Sequence, residues 1–214
     1  MTEILPWTSD PDEQKRVAEH AGQLIRSGGL VVYPTDTVYG LGADPADSEA
    51  VERIYEAKAR PPEKAIVWLI SSLDRARSAC DVTAAAEQLA QRFLPGPLTL
   101  VLTRREPRPD ELSTQAVRIP GHPAALAIIA AAGGAVATTS ANRSGLPSAR
   151  NAQEAVEALG GRVGLIVDAG PSPGGQESTI LDLSGPVPKI LRPGPIGARE
   201  IESVLGVPVA SADR

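Results

Sequence analysis

The sequence predicts an α/β fold with a mixed β-sheet. Segments with the spacing of amphipathic helices alternate with short, β-favouring apolar runs along most of the chain. Adjacent short strands without a helix between them favour a mixed sheet over a purely parallel one. The 214 residues, 42% of them hydrophobic, can bury one sizeable core, so we expect a single domain over residues 1–214.

The N-terminal part is predicted as two helix–strand pairs. Residues 11–27 begin after a polar cap with proline in the first turn and end at a Gly-Gly pair, which is typical of a helix. Residues 30–33 are an apolar, β-favouring run that Pro34 ends. Residues 48–60 carry apolar side chains at helical spacing, and residues 65–70 return to a strand.

The rest of the chain continues the alternation, and Pro/Gly-rich turns separate its elements. The further predicted helices are 83–94, 123–132, 152–159 (capped by Asn151) and 197–205. The further predicted strands are 98–102, 116–119, 135–138, 163–167, 179–183 and 187–191. The paired strands 98–102 with 116–119, and 179–183 with 187–191, are the adjacent runs that favour a mixed sheet.

The composition limits the classes of partner and metal. A formal net charge of −5 disfavours broad attraction to nucleic acid or anionic membrane, so an anion site has to be built locally. Cys80, His20 and His122 are the only cysteine and histidines, which predicts no disulfide and no transition-metal site. A hard cation such as Mg²⁺, arriving with a phosphate substrate, is the metal we expect. Without an apolar leader or a membrane-length apolar run, the sequence predicts a soluble cytoplasmic protein.

A basic cluster ends the second predicted helix. Lys58 and Arg60 lie two residues apart, and Lys64 follows. Such cations can simply satisfy the dipole at a helix C-terminus. At this spacing Lys58 and Arg60 cannot share a helix face, so they can meet one ligand only if the helix unwinds, as Pro61 favours. Taken alone, the cluster fits helix termination and anion binding equally well.

Hydroxyl groups follow the strand at 30–33. Thr35 and Thr37 can contact a small polar ligand there, or they can merely stabilise a hydrogen-bonded loop. We expect Gly40 and Gly42 to let the backbone turn away from such a ligand.

Two other strands carry polar side chains. Ser140 and Asn142 follow the strand at 135–138 and alternate to the same side, where they suit phosphate or ribose oxygens, although a Ser/Asn turn is the commoner meaning. Arg118 lies among apolar neighbours, which predicts a carboxylate or phosphate partner for it.

Six stretches in order resemble one family: YPTDTVYGLG (33–42), KARPPEK (58–64), VRIPGHP (117–123), TSANRSGLPS (139–148), STILDL (178–183) and LRPG (191–194). They are similar to the YrdC family of L-threonylcarbamoyladenylate synthases, over residues 29–194. The resemblance implies a YrdC-like fold: a twisted mixed sheet with flanking helices around a large, positively lined concave cavity. It also implies the short form, without the extra C-terminal domain of longer members. Ala65 and Trp68 depart from the family pattern at one wall of the threonine pocket.

The family's reaction, as the resemblance implies it, joins L-threonine, bicarbonate and ATP into threonylcarbamoyl-AMP and pyrophosphate. A downstream threonylcarbamoyl-transferase complex then modifies adenosine 37 of tRNA. The implied catalytic residues are Lys58, Arg60, Ser140 and Asn142. The implied ATP contacts are Arg60, Lys64, Thr114, Ser140, Asn142, Ser148 and Arg192. The implied L-threonine contacts are Thr35, Thr37, Lys58, Arg118 and Ser178, with no protein-held metal.

Two alternatives stay open at this point. The first is an RNA-binding module, whose basic cavity would bind tRNA directly and weakly; salt-dependent tRNA binding without ATP would reveal it. The second is a carbamoyl-transfer relative, which would act on carbamoyl phosphate and would not need threonine.

Overall fold

One mixed sheet organises the molecule. The computed structural model describes residues 1–107 and 112–211. Its strands are β1 (Glu3–Pro6), β2 (Val31–Tyr33), β3 (Gly40–Ala43), β4 (Val67–Ile70), β5 (Leu98–Thr103), β6 (Thr114–Arg118), β7 (Ala135–Ser140), β8 (Leu165–Asp168), β9 (Thr179–Asp182), β10 (Lys189–Arg192) and β11 (Ala210–Ser211). They are hydrogen-bonded in the order β1-β8-β2-β3-β7-β4-β6-β5-β9-β10-β11.

Parallel and antiparallel pairs alternate irregularly across this sheet. β1–β8, β2–β8, β4–β6, β5–β9 and β10–β11 are parallel. β2–β3, β3–β7, β4–β7, β5–β6 and β9–β10 are antiparallel. The predicted mixed α/β fold is therefore confirmed.

Helices cover both faces of the sheet. They are α1 (Pro11–Arg26), α2 (Ser48–Lys58), α3 (Leu73–Arg77), α4 (Ala84–Phe93), α5 (Pro123–Ala131), α6 (Ala152–Leu159) and α7 (Ala198–Leu205). Because side chains alternate along a strand, Val31 packs with α1 and α5 while Val32 packs with α2 and α6. A third core joins α3, α4 and α7 to five neighbouring strands of the sheet, β4, β6, β5, β9 and β10. No helix in the described part of the chain is long and apolar enough to cross a membrane.

The elements with strong caps and periodicity were predicted within a few residues. Helix α1 has Asp10 as its N-cap and Pro11 in its first turn, as expected. Strands β1, β3 and β11 and the short helix α3 were not predicted. The strand predicted at 135–138 continues to Ser140, so the Thr-Thr-Ser stretch belongs to β7 instead of a loop.

The prediction for Gly40 and Gly42 was wrong. Both lie in β3, between β2 and β7, and neither forms a turn. A Cβ on Gly40 would come within 2.9 Å of Thr138 Cγ2, and one on Gly42 would come within 2.6 Å of Val136 Cγ1. These glycines therefore let side chains of β7 lie directly against β3.

Candidate active site

A cavity of about 210 Å³ opens over the sheet between β3 and β10. Alternation on β5 shows how the strands build it: Leu98 and Leu100 are buried in the core, while Thr99 between them lines the cavity. The predicted site residues that line it are Thr35, Thr37, Arg60, Arg118, Ser140, Ser178 and Arg192. The predicted site residues outside its lining are Lys58, Lys64, Thr114, Asn142 and Ser148.

The two threonines of the β2–β3 loop form a directed hydrogen-bond chain. Thr35 Oγ1 donates to Val38 O at 2.6 Å, so Thr37 Oγ1 must donate in the 3.0 Å bond between the two hydroxyls. Thr37 N also donates to Thr35 Oγ1, at 3.1 Å. Both hydroxyl hydrogens and both lone pairs of Thr35 are therefore used within the protein. Thr37 retains one lone pair, which suits a ligand N–H donor.

Arg118 continues this chain from the end of β6. It is 5% exposed, and its Nη1 donates to Thr37 Oγ1 at 2.9 Å. Its Nη2 donates to Asp36 Oδ1 at 2.5 Å, and its Nε donates to Gly96 O at 2.9 Å. Burial lowers the pKa of Arg118, and the carboxylate of Asp36 opposes this shift. A guanidinium has five N–H groups, so two remain for a ligand on the terminal nitrogens.

Asp36 is a site residue that the sequence analysis missed. Its Oδ1 accepts from Arg118 and also from Gly121 N at 2.8 Å. The expected acidic partner of Arg118 is thus supplied by the protein's own chain. A usable signal was present, because Asp36 lies between Thr35 and Thr37 in the stretch already identified as polar.

Lys58 lies behind the cavity wall and not on its surface. It is 1% exposed, and its Nζ donates to Ser140 O, to Asn142 O and, at 3.2 Å, to Asn142 Oδ1. Burial is the main cause that lowers its pKa, to about 8; the nearby charge of Arg60 adds to this and that of Glu177 opposes it. Since an ammonium has three N–H groups, all are used on the protein. A ligand contact by Lys58 stays a prediction.

The helix ends immediately after Lys58, earlier than predicted. Ala59 adopts a left-handed conformation, with φ of 49°, and caps α2. The chain thus unwinds where the sequence analysis expected, but it sends Lys58 into the core and Arg60 to the cavity. Arg60 Nη2 donates to Ala65 O at 2.9 Å, and this hydrogen bond joins the two ends of the loop at 60–65. Lys64 is exposed on that loop. Burial lowers the pKa of Arg60, which still remains a cation at neutral pH.

Lys58 fixes the turn that follows β7. Ser140 Oγ donates to Asn142 Oδ1 at 2.5 Å, and Asn142 Nδ2 donates to Leu146 O at 2.5 Å. Because its hydrogen is used, Ser140 offers the cavity only lone pairs. Asn142 is directed into this turn and does not line the cavity, so its nucleotide contact stays a prediction.

The last part of the lining is a cluster around Arg192. Its Nε and Nη2 donate to Ser178 O at 3.1 and 2.9 Å, and its Nη1 donates to Glu177 Oε2. Ser178 Oγ shares a 2.8 Å hydrogen bond with Thr99 Oγ1. Ser148 lies just behind this cluster, where its Oγ donates to Glu177 Oε1 at 2.8 Å.

Thr114 lies outside the cavity lining, at the opposite end of β6 from Arg118. It begins β6, and Arg118 ends it. Four residues along a strand separate the two by about 13 Å. Its nucleotide contact stays a prediction that the geometry does not favour.

Comparison with known proteins identifies the family. The model of the Sua5/YciO/YrdC domain, described as "Telomere recombination", matches residues 23–194. The chain belongs to the Sua5/YciO/YrdC family. The resemblance drawn from the six sequence stretches is therefore confirmed.

Members of the Sua5/YciO/YrdC family with similar sequences are named for one activity. Threonylcarbamoyl-AMP synthase of Pyrococcus abyssi is 44% identical over 87% of this chain, and that of Bacillus subtilis is 41% identical over 93%. This chain spans 56% and 58% of those two proteins. A putative threonylcarbamoyl-AMP synthase of Mycobacterium tuberculosis H37Rv is 38% identical, with 95% of each chain covered.

Solved structures of the family show the same fold. The crystal structure of P. abyssi Sua5 complexed with L-threonine matches with a TM-score of 0.89 and 38% identity, and it covers 99% of this chain and 62% of Sua5. Escherichia coli YciO matches with a TM-score of 0.84 and 27% identity, over 94% of this chain and all of YciO (100%).

Proposed function

We propose that this chain is a threonylcarbamoyl-AMP synthase, a nucleotidyltransferase that joins L-threonine, bicarbonate and ATP and releases pyrophosphate. The observation that carries the proposal is one cavity with a guanidinium group at each of three positions on its wall: Arg60, Arg118 and Arg192. Such a cavity suits two anionic reactants that must be held together. The names of the P. abyssi, B. subtilis and M. tuberculosis relatives support it.

Threonine binds at the Arg118 end in this proposal. The two unused N–H groups of Arg118 match a carboxylate, and the free lone pair of Thr37 matches the amine. The cavity wall also carries apolar groups, including Leu69 and Ile180, which can contact the methyl group of threonine. Ser178, which lines the same cavity, links this end to Arg192.

ATP binds toward Arg60 and Arg192. The threonine amine first combines with bicarbonate to form a carbamate and water. An oxygen of the carbamate then attacks the α-phosphorus in line, the bond from that phosphorus to the bridging oxygen breaks, and pyrophosphate leaves. The protein has to position two anions and to stabilise charge on the phosphates. Arg60 and Arg192 supply positive charge on the cavity wall, and the exposed Lys64 adds a cation on the same loop as Arg60.

Magnesium accompanies ATP in this proposal and is not held by a protein cage. Within the described residues, no three His, Cys, Asp or Glu side chains come together in a way that could hold a metal. The carboxylates near the cavity, Asp36 and Glu177, each bind an arginine. Bound to the triphosphate, Mg²⁺ would neutralise charge on the leaving pyrophosphate.

We also propose the later steps that the resemblance implies. The product passes to a threonylcarbamoyl-transferase complex, which forms N6-threonylcarbamoyladenosine at position 37 of tRNA. A cytoplasmic location fits a protein that uses ATP and serves tRNA.

Pyrophosphate release tests the proposal. The purified chain, ATP, Mg²⁺ and bicarbonate should release pyrophosphate only when L-threonine is present, and threonylcarbamoyl-AMP should be detected by mass spectrometry. Arg192→Ala, purified in the same way, measures background hydrolysis. Release that does not depend on threonine, or turnover of carbamoyl phosphate instead, would contradict the proposal.

A further inference from the structure

Glu177 is the one acidic side chain that lines the cavity within the described parts of the chain. Its side chain is 34% exposed and lies just before β9. Oε2 accepts from Arg192 Nη1, and Oε1 accepts from Ser148 Oγ at 2.8 Å. A carboxylate at the wall of a cavity built for anions repels the proposed ligand, so its place there requires an explanation.

The carboxylate occupies a position that suits phosphate oxygens. A serine hydroxyl and an arginine N–H are donors that commonly bind phosphate, and here both bind Glu177. Glu177 also lies near other cations, because its negative charge opposes the lowering of the pKa values of Arg60 and Lys58 by burial. Several cations therefore share this one internal anion.

Orientation of Arg192 does not by itself explain the contact. Nε and Nη2 of Arg192 already donate to Ser178 O at 3.1 and 2.9 Å. These two bonds to a backbone carbonyl fix the plane of the guanidinium without Glu177. What Glu177 adds is a negative charge at the remaining nitrogen.

We infer that the Glu177 carboxylate is an internal substitute for a phosphate group, which a polyphosphate chain must displace from Ser148 and Arg192. The inference rests on the proposed function only in naming ATP as the natural ligand. Glu177 neutralises the basic wall when no nucleotide is bound, and it weakens anion binding through competition. A ligand with several negative charges gains most when this competitor is removed.

Glu177→Gln tests the inference, since it keeps the shape and the acceptor oxygen and removes the charge. Calorimetry with inorganic tripolyphosphate should show a Kd about tenfold lower than for the wild type, because one unit charge a few ångströms away is removed. The Kd of ATP should fall by a similar factor, and the Kd of AMP should fall less. The Kd of L-threonine should stay within about twofold of the wild-type value. Glu52→Gln, on the exposed face of α2, makes the same change in net charge away from the cavity and should leave the Kd of tripolyphosphate unchanged.

Glu177→Asp separates the effect of the negative charge from the effect of the contacts with Ser148 and Arg192. It keeps the negative charge on a shorter side chain, so it should not tighten tripolyphosphate binding. Equal or weaker binding by Glu177→Gln, or tightening by Asp as large as that by Gln, would overturn the inference. Failure of the proposed function looks different: the wild type would then release no threonine-dependent pyrophosphate, while Glu177→Gln still bound tripolyphosphate more tightly.

Discussion

Lys58→Met separates two roles for the buried lysine, as a brace for the turn after β7 or as a ligand contact. Methionine keeps most of the apolar side chain and removes the ammonium. Of its three acceptors, Ser140 O also accepts from Asn142 N at 3.0 Å, and Asn142 Oδ1 also accepts from Ser140 Oγ at 2.5 Å. Asn142 O, within the described residues, has Lys58 as its donor.

The expected loss of stability follows from which of these three acceptors keep another donor. One buried carbonyl without a donor costs about 1–3 kcal/mol, and the lost charge-assisted bonds are partly offset because a buried cation disappears. We expect a net loss of about 2 kcal/mol, which lowers the melting temperature of a chain of this size by about 4–8 °C. Turnover should fall about a hundredfold, because Ser140 on the cavity wall loses its support.

The pH dependence gives a second readout. The pKa of Lys58 is lowered from 10.5 to about 8 in the folded protein. Between these pH values the unfolded chain binds one more proton than the folded chain, so stability rises with pH. The free energy of unfolding of the wild type, relative to Lys58→Met, should therefore increase from pH 8 to pH 10.5.

Thermal melting and pyrophosphate release, measured on the same preparations, decide between the roles. Lys64→Met is the matched control: this exposed lysine should leave the melting temperature unchanged and raise only the KM for ATP. If Lys58→Met melted like the wild type and lost only substrate affinity, the bracing role would be refuted and the direct contact implied by the resemblance would stand.

Three further predictions concern the proposed reaction. Arg60→Lys should lose about a hundredfold in turnover, nearly as much as Arg60→Ala, because lysine keeps the charge without the planar fork; near wild-type turnover would refute a phosphate-binding role. Excess EDTA should abolish pyrophosphate release and added Mg²⁺ should restore it, whereas a chelator selective for zinc should have no effect; full turnover in EDTA would contradict the ATP-dependent reaction. Serine should remain a substrate with kcat/KM about 10- to 200-fold below that of threonine, because one methyl contact with the apolar wall is lost; equal values would exclude that pocket.

Local signals predicted most of the fold, and the missed strands lack such signals. Helix α1 carries a cap, a first-turn proline and a periodic apolar face, so it could be identified from its own residues. Strand β3 has the sequence Gly-Leu-Gly-Ala, which has low intrinsic β-propensity. It is a strand because it pairs with β2 and with β7, and β7 lies almost a hundred residues away in sequence. Tertiary pairing overrides propensity there.

The site was predicted by residue type more successfully than by role. Arg118 was expected to need an anionic partner, but its partner Asp36 is 82 residues away, and no local pattern joins the two. Spacing indicated that Lys58 and Arg60 could meet one ligand only if the helix unwound there. Which of them would turn inward depends on the left-handed Ala59 and on the carbonyls of Ser140 and Asn142. Such a choice is made by packing and cannot be read from composition.

The arrangement also fits the uptake of the proposed anionic substrates by an acidic protein. A net charge of −5 gives no long-range attraction for ATP, and screening limits exposed charges to about 8 Å at physiological ionic strength. Capture must therefore depend on donors at contact distance. Arg118 and Arg192 are each held by two or more acceptors of the protein, so their remaining N–H groups are already oriented when a ligand arrives. Binding free energy that would otherwise be spent on ordering flexible cations is then available for aligning the two reactants.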